Sequence, residues 1–464
     1  MSLPTKYDAV IIGTGQAGPS LAYRLSAAGM SVAIVERKLF GGTCVNTGCI
    51  PTKTMVASAY AAHMARKAVD YGVQTNGAVS VDMKAVKTRK DQISGRSSIG
   101  VEQGLRELKN CTVYQGHARF ESPQEISVDS HRLIAERTFI NVGGRATVPS
   151  FPGLDQIRYL TNSSMMGVDF LPQHLIIVGG SYVGLEFGQM FRRFGSDVTI
   201  VERKSRLVPR EDEDVSSAIH DIFRGEGIHL RLNATCIGFG RKGEQISARV
   251  ECSEGAPQVE GTHVLLAVGR RPNTDDLGLE KAGVMTNQDG YIQVDEQLRT
   301  NVPGIWALGD CNGRGAFTHT SYNDFEIVAA NLLDQDTRKV SDRIAAYALY
   351  IDPPLGRAGM TEMEVRTSGR QALVGKRPMS RVSRAVEKGE TSGFMKVIVD
   401  AETRRILGAA VLGTGGDEVI HSILDVMYAG APYTLIQRAV HIHPTVSELI
   451  PTMLGELQPI GSGQ

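Results

Sequence analysis

Residues 10–37 read VIIGTGQAGPSLAYRLSAAGMSVAIVER, and this stretch decides the fold. Ala9 to Ile12 is a short apolar run that reads as a buried parallel strand. It feeds Gly13-Thr-Gly15-Gln-Ala-Gly18, then a helical pattern through Leu21 and Leu25, then a second strand, Val32 to Val35, closed by Glu36. Each glycine has a task in such a turn. One permits the tight bend, one lets the backbone approach a pyrophosphate, and one allows close helix–strand packing. The helix N-terminus faces the phosphates, and an acid closing the next strand bonds a ribose hydroxyl. The pattern predicts a βαβ dinucleotide site held by Gly13, Gly15, Gly18 and Glu36.

The same pattern occurs twice. LIIVGGSYVGLEFGQMFRRFGSDVTIVER, at 175–203, replays it with Gly179 and Gly184 in place and Ser181 where the middle glycine stood. Two such units predict two dinucleotides and electron transfer between them. Glu202 closes the repeat's second strand and favours a free ribose 2′-hydroxyl, hence NADH. Arg203, Lys204 and Arg206 follow at once and suit a 2′-phosphate, so the reading leans to NADH and leaves NADPH open.

Between the units lies GGTCVNTGCIPTK, residues 41–53. On a regular helix the step from Cys44 to Cys49 rises about 7.5 Å and separates the Cα atoms by roughly 8–9 Å. A disulfide needs about 4.4–6.8 Å. A bridge therefore requires an irregular first turn, which Gly48 eases. The plainer alternative is two buried structural thiols. Cys111, Cys236, Cys252 and Cys311 are scattered without ligand-like spacing and read as structural.

Composition narrows the class. The 464 residues suffice for about three domains. Lys plus Arg and Asp plus Glu number 50 each, so no bulk field draws the chain to nucleic acid or acidic membranes. No apolar run reaches the ~18 residues of a membrane span. The start, MSLPTKYDAVIIG, lacks a basic region followed by an apolar stretch, which makes the cytoplasm the expected compartment. There a cysteine pair is more readily catalytic than structural.

The remaining segments add two candidate sites. Helical patterns are expected at 55–69 and 80–108, with strands at 111–115, 125–128 and 138–142. Gly143-Gly144 and the stretch 149–153 mark a boundary. HVLLAVGRRPN (263–273) is an apolar strand entering a basic turn. TNVPGIWALGD (300–310) is a strand ending at Asp310, either where ligands bind beyond a strand's carboxyl end or as a turn residue. From about Tyr347, strands at 393–399 and 406–412 precede helices, which suggests a separate α+β domain. VHIHPTVSE (440–448) offers His443 with Glu448 five residues on, the arrangement of an imidazole oriented by a carboxylate. His441 is the alternative, and a structural histidine the plainer reading.

GxGxxG with Glu36, GGTCVNTGCIPTK, GGSYVGLE, GRRPN, TNVPGIWALGD and HPTVSE occur in one order. In that combination the chain resembles the pyridine nucleotide–disulfide oxidoreductases, the flavoprotein family of dihydrolipoyl dehydrogenase, glutathione reductase and mercuric reductase. The resemblance implies an α/β fold with two Rossmann-type nucleotide-binding domains, for FAD and NAD(P), and a C-terminal α+β dimerisation domain. The implied boundaries are 1–148 and 277–344 for the two parts of the FAD domain, 149–276 for the NAD(P) domain and 345–464 for the interface domain. On the flavin side it implies Thr43, Lys53, Ala118, Gly143, Asp310, Thr318 and His319 beside the first fingerprint. On the NAD(P) side it implies Gly179, Ser181, Tyr182, Gly184, Glu202, Arg203 and Gly269, with Tyr182 covering the nicotinamide face.

The catalytic roles implied are equally specific. Cys49 is the thiolate contacting the flavin, and Cys44 the outer thiol that exchanges with substrate. Lys53 pairs with Glu186. His443, oriented by Glu448, comes from the other subunit of an obligate homodimer. No resident metal is implied, although a substrate metal can meet Cys44 and Cys49 in passing.

VPREDED, GAFTHTSYNDFEIVAANLL and YIDPPLGRAGMTE look most like the mercuric-reductase-like branch that includes the reactive-chlorine resistance flavoproteins. Mercuric reductases carry a cysteine pair near the C-terminus, whereas LIPTMLGELQPIGSGQ has none, nor is an N-terminal metal-binding module evident. The expectation is an NAD(P)H-dependent FAD disulfide reductase acting on a disulfide, metal ion or oxidant. Dihydrolipoyl dehydrogenase is the first alternative, and a redox-sensing or assembly flavoprotein with little turnover the second.

Overall fold

The computed structural model describes residues 4–75, 77–235, 237–251 and 255–461. Cys236 and Cys252 lie outside them. The strand Thr5–Ile12 (β1) buries all of its last four residues, Ala9 to Ile12, as a strand between two parallel neighbours must. One neighbour is Val32–Glu36 (β2), with Ile12 opposite Val35. The other is His131–Ile140, with Ile12 opposite Ile140. The helix Ala17–Ala27 (α1) connects β1 to β2 and buries Leu21 and Leu25.

The second unit repeats this arrangement residue for residue. His174–Val178 lies between Asp197–Val201 and His263–Leu266, with Val178 opposite Val201 on one side and Leu266 on the other. Asn141 in the first unit and Ala267 in the second therefore occupy equivalent places beside the glycine loop. The strand expected at 138–142 is longer and ends earlier, at Ile140, where Asn141 begins to serve that loop.

The chain after the second unit returns to the first sheet. Ile305–Ala307 adds in parallel to His131–Ile140, placing the Gly309–Asn312 turn beside the first fingerprint. A short pair, Gly144–Ala146 against Arg270–Pro272, ties the crossing segments together. The C-terminal region forms a six-stranded sheet, antiparallel throughout. Its central strands Phe394–Asp400 and Ile406–Leu412 are buried at every residue, with the helix Gly416–Tyr428 against Ile406–Leu412 and its neighbour Leu355–Gly359. Among the described residues no helix is long and apolar enough to cross a membrane.

Candidate active site

The first glycine loop is shaped by contact rather than by flexibility. Gly13 has φ +104°, and a Cβ there would meet the Asn141 carbonyl oxygen at 2.3 Å. A Cβ on Gly18 would meet the Gly13 carbonyl oxygen at 2.2 Å. Asn141 fixes the loop further: its Oδ1 accepts the Gly18 N–H at 3.1 Å, and its Nδ2 donates to the Leu308 carbonyl at 2.9 Å. Sequence reasoning missed Asn141 because no local pattern marks it.

Glu36 accepts from the Thr14 backbone N–H, the Thr14 hydroxyl and the Lys38 N–H. It lines a cleft of about 370 Å³, solvent-open volume included, with Gly13, His117, Ala118 and Val142. A glycine cradle, a fixed carboxylate and an adjoining cleft are what the phosphate, ribose and adenine parts of FAD require. The residues fit that group.

The second loop has the same build. Gly179 has φ +118°, and a Cβ there would meet the Ala267 carbonyl oxygen at 2.3 Å. Glu202 accepts from the Gly180 N–H at 2.7 Å and the Lys204 N–H at 2.8 Å, while Arg203 is exposed beside it. Ser181 adopts extended backbone, with φ −116°, and starts the helix Tyr182–Phe194. Gly269, at φ +133°, follows the strand His263–Leu266.

The cysteine segment docks on the first loop. Gly41 N–H donates to Thr14 Oγ1 at 3.2 Å, and a Cβ on Gly42 would lie 2.9 Å from the Gly15 Cα. A short helix, Gly42–Asn46 (α2), carries Thr43 and Cys44. Gly48, at φ −131° and ψ −118°, breaks the helical path, and Cys49 opens the long helix Cys49–Lys67 (α3). The irregular turn expected between the cysteines is present. A side chain at Gly48 would press on the Thr43 carbonyl at 2.9 Å.

The two thiols are free, and each is the largest influence on the acidity of the other. Cys49 Sγ also lies 3.0 Å from Thr318 Oγ1. The Cys44 hydrogen bond, helped by Thr318 and the Lys53 charge, pulls the Cys49 thiol down to about 6. The same bond and burial push Cys44 far above the ordinary thiol range. The two opposite shifts favour the proton on Cys44 and the negative charge on Cys49.

One turn along α3, Lys53 Nζ donates to both oxygens of buried Glu186, at 2.9 and 2.8 Å. Tyr350, from the C-terminal region, closes this pair: its ring lies 4.5 Å from Lys53 Nζ and its N–H bonds Glu186 Oε1 at 3.1 Å. Nothing in the sequence pointed to Tyr350.

The Thr-His pair diverges. Thr318 faces Cys49, but His319 bonds the Ala346 carbonyl through Nε2 at 2.7 Å and stacks on Phe317. Asp310 sits in the Gly309–Asn312 turn, 3.8 Å from Arg270 of GRRPN, and burial raises its carboxyl against that charge. Gly143 accepts the Asn273 N–H at the crossing of the segments. His443 Nδ1 lies 2.9 and 3.1 Å from the Glu448 oxygens and is exposed; among the described residues His441 reaches only the Ala439 carbonyl. Among the described residues no cluster of His, Cys, Asp or Glu is arranged to hold a metal ion. Burial raises Cys111 to about 11 and Cys311 to about 12, away from the thiolate that redox chemistry uses.

Comparison with known proteins agrees with this architecture. The family model described as pyridine nucleotide-disulphide oxidoreductase matches residues 7–324, and the model of that family's dimerisation domain matches residues 345–454. The probable pyridine nucleotide-disulfide oxidoreductase RclA of Escherichia coli K12 is 37% identical over 453 residues, covering 96% of this chain and 97% of that protein. The mercuric reductase of Streptomyces lividans is 34% identical, covering 96% and 95%. A solved Cu(II) complex of the HOCl-induced flavoprotein disulfide reductase RclA from Escherichia coli matches with a TM-score of 0.89 at 35% identity, over 97% of this chain and 99% of that one. The chain thus belongs to the pyridine nucleotide-disulphide oxidoreductases, flavoenzymes that work with FAD and NAD(P)H, and it carries their dimerisation domain.

Proposed function

We propose that this chain passes electrons from NAD(P)H to a disulfide, metal-ion or oxidant acceptor through a Cys44–Cys49 dithiol relay. The observation that carries the reading is the position of Cys49 Sγ, held between the Cys44 thiol and Thr318 Oγ1 beside the Lys53–Glu186 pair. When bound, FAD would supply two-electron transfer between NAD(P)H and the oxidised cysteine pair. Gly13, Gly15, Gly18, Glu36, Thr43, Ala118, Gly143 and Asp310 would hold it. Gly179, Ser181, Gly184, Glu202, Arg203 and Gly269 would hold the coenzyme.

The chain's own residues divide the thiol chemistry by their protonation. Cys44 keeps its proton and attacks only after a base removes it. His443, oriented by Glu448 and contributed by the partner protomer, takes that proton. The Cys44 thiolate attacks a substrate disulfide, forming a mixed disulfide and releasing one thiolate, which His443 reprotonates. Cys49, already a thiolate, then attacks Cys44 Sγ, closes the Cys44–Cys49 bond and releases the second half as a thiolate, which takes its proton from solvent. The dithiol loses two electrons and the substrate disulfide gains them. A soft cation suits the same two sulfurs, and the solved Escherichia coli relative is a Cu(II) complex. Two Cu(II) ions would take the same electron pair. The expected compartment is the cytoplasm.

The test offers lipoamide, glutathione disulfide, Hg(II) and Cu(II) in parallel, with NADH and NADPH. Metal-dependent coenzyme oxidation with poor disulfide turnover supports the branch shared with RclA; fast, saturable lipoamide reduction moves the chain to dihydrolipoyl dehydrogenase. Cys44→Ser is expected to reduce its bound FAD once with coenzyme and then to turn over no acceptor. Full turnover in that variant overturns the dithiol relay.

A further inference from the structure

Two of the branch-marking stretches, VPREDED (208–214) and YIDPPLGRAGMTE (350–362), carry Glu211 and Arg357, which the dithiol chemistry does not use. In the fold they meet beside Tyr182. Glu211 is buried, and its Oε1 accepts two hydroxyls, from Tyr182 at 3.0 Å and from Tyr347 at 2.7 Å. The Tyr182 ring stands edge-on to Tyr347 and to Phe317, the residue before Thr318. Burial and the Glu211 charge push both tyrosine hydroxyls far above their ordinary range, so both remain donors.

The other Glu211 oxygen has a different neighbour. Oε2 has no hydrogen-bond partner among the described residues and lies 3.8 Å from Nη1 of Arg357. Arg357 is 1% exposed, and its Nε and Nη2 also lack partners, while Nη1 bonds Asp212 at 3.0 Å. A buried charge with two spare donors thus sits beside a carboxylate with a spare acceptor. Such pairs are costly unless each group finds a partner in some populated arrangement.

The loop around Glu211 cannot supply that freedom by shifting. Asp212 accepts the Glu362 N–H at 2.8 Å and pairs with Lys396 at 2.8 Å, and Lys396 pairs with Asp214 at 2.8 Å. Movement is left to the Glu211 side chain, which has two sets of donors: the tyrosine hydroxyls and the unused N–H groups of Arg357.

We propose that Glu211 is a latch on Tyr182, a positioning residue that exchanges the tyrosine hydroxyl for Arg357 when the nicotinamide side opens. The proposal rests on the reading above that Tyr182 covers the nicotinamide side. In the latched arrangement Glu211 holds Tyr182 against Tyr347 and Phe317. Coenzyme binding must displace the ring and break one hydrogen bond to a charged acceptor, an effect on the order of tenfold in affinity. The exchange onto Arg357 offsets part of that loss, which makes Glu211 a two-position element rather than a fixed brace.

The experiment titrates the oxidised holoenzyme with NAD+ and NADP+ by calorimetry, which reads binding without turnover, and compares KM with kcat for the tighter coenzyme. Tyr182→Phe keeps the ring and removes the latched hydroxyl. It is expected to tighten coenzyme about tenfold and to lower KM. Glu211→Gln is expected to do the same, and the double variant to bind no tighter than either single one. Tyr347→Phe leaves Glu211 free to hold Tyr182 and is expected to leave affinity unchanged or weaker. If Tyr347→Phe tightens binding as Tyr182→Phe does, loosening of the aromatic cluster explains the effect and the latch is overturned. No change in Tyr182→Phe, or multiplicative effects in the double variant, overturns it as well. Should Glu211→Gln fail to fold, the two tyrosine variants decide alone. A wild-type holoenzyme that binds neither coenzyme would instead overturn the nucleotide-site reading.

Discussion

Cys49 is the residue on which the chemistry turns, and its charge has three sources of unequal weight. The hydrogen bond from Cys44 is the largest, the Thr318 hydroxyl adds a second, and the Lys53 charge a third; burial opposes all of them. An ordinary thiol titrates near 8.5. The Cys44 bond pulls the Cys49 thiol down to about 6, which favours the thiolate at neutral pH. The rate of its alkylation by iodoacetamide, followed on the Cys49 peptide in reduced enzyme, is therefore expected to be near its plateau at pH 7. Cys44→Ala should move the midpoint upward, and Thr318→Val should move it upward by less. A wild-type midpoint in the ordinary thiol range would remove the basis for assigning the charge to Cys49. Lys53 is a poorer probe, because removing it leaves Glu186 buried and unpaired, a loss of a few kcal/mol that obscures the thiol effect.

At the scale of the element, the two glycine loops explain why one tolerates serine and the other does not. A Cβ on Gly15 would lie 2.9 Å from Asn141 Oδ1, the atom that holds the Gly18 N–H. The equivalent of Asn141 in the second unit is Ala267, which has no side-chain amide to strike, so Ser181 fits. Gly15→Ser is expected to weaken FAD retention on the order of tenfold, the scale of a modest overpacking strain. Adding Asn141→Ala should recover part of the loss. FAD content after dialysis measures both; a double variant no better than Gly15→Ser would show that Asn141 is not the obstacle.

The same comparison shows what can be read from sequence. The βαβ units are legible because strand, glycine turn, helix and closing acid lie within thirty or so residues and each imposes a local residue type. The irregular turn between Cys44 and Cys49 is legible for the same reason, since Gly48 sits inside it. Asn141, Tyr350, Glu211 and Arg357 are not legible. Their partners come from distant segments, Asn141 to Gly18 across 123 residues and Tyr350 to Glu186 across 164, and no periodicity records such a meeting. The Thr318-His319 pair shows the limit from the other side: adjacent residues at a helix start point to different partners, and the sequence order does not say which.

For the whole molecule the question is where the base for Cys44 comes from. The Nδ1 of His443 is engaged by Glu448, which leaves Nε2 as the nitrogen able to accept a proton. Within one protomer the imidazole is exposed, its side-chain hydrogen bonds going only to Glu448 among the described residues. Val440 and Ile442, just before it, are 99% and 80% exposed, unusual for apolar residues unless another surface covers them. In a two-fold dimer each His443 would serve its partner's Cys44, so two inactive variants should complement each other. Cys44→Ser and His443→Ala homodimers each lack one half of every site. After dissociation and random reassortment, half of the dimers are mixed, and one of the two sites in each mixed dimer joins an intact Cys44 to an intact His443. Acceptor turnover should return to about a quarter of wild type. If His443 acts within its own protomer, every site in the mixture stays defective and reassortment restores nothing.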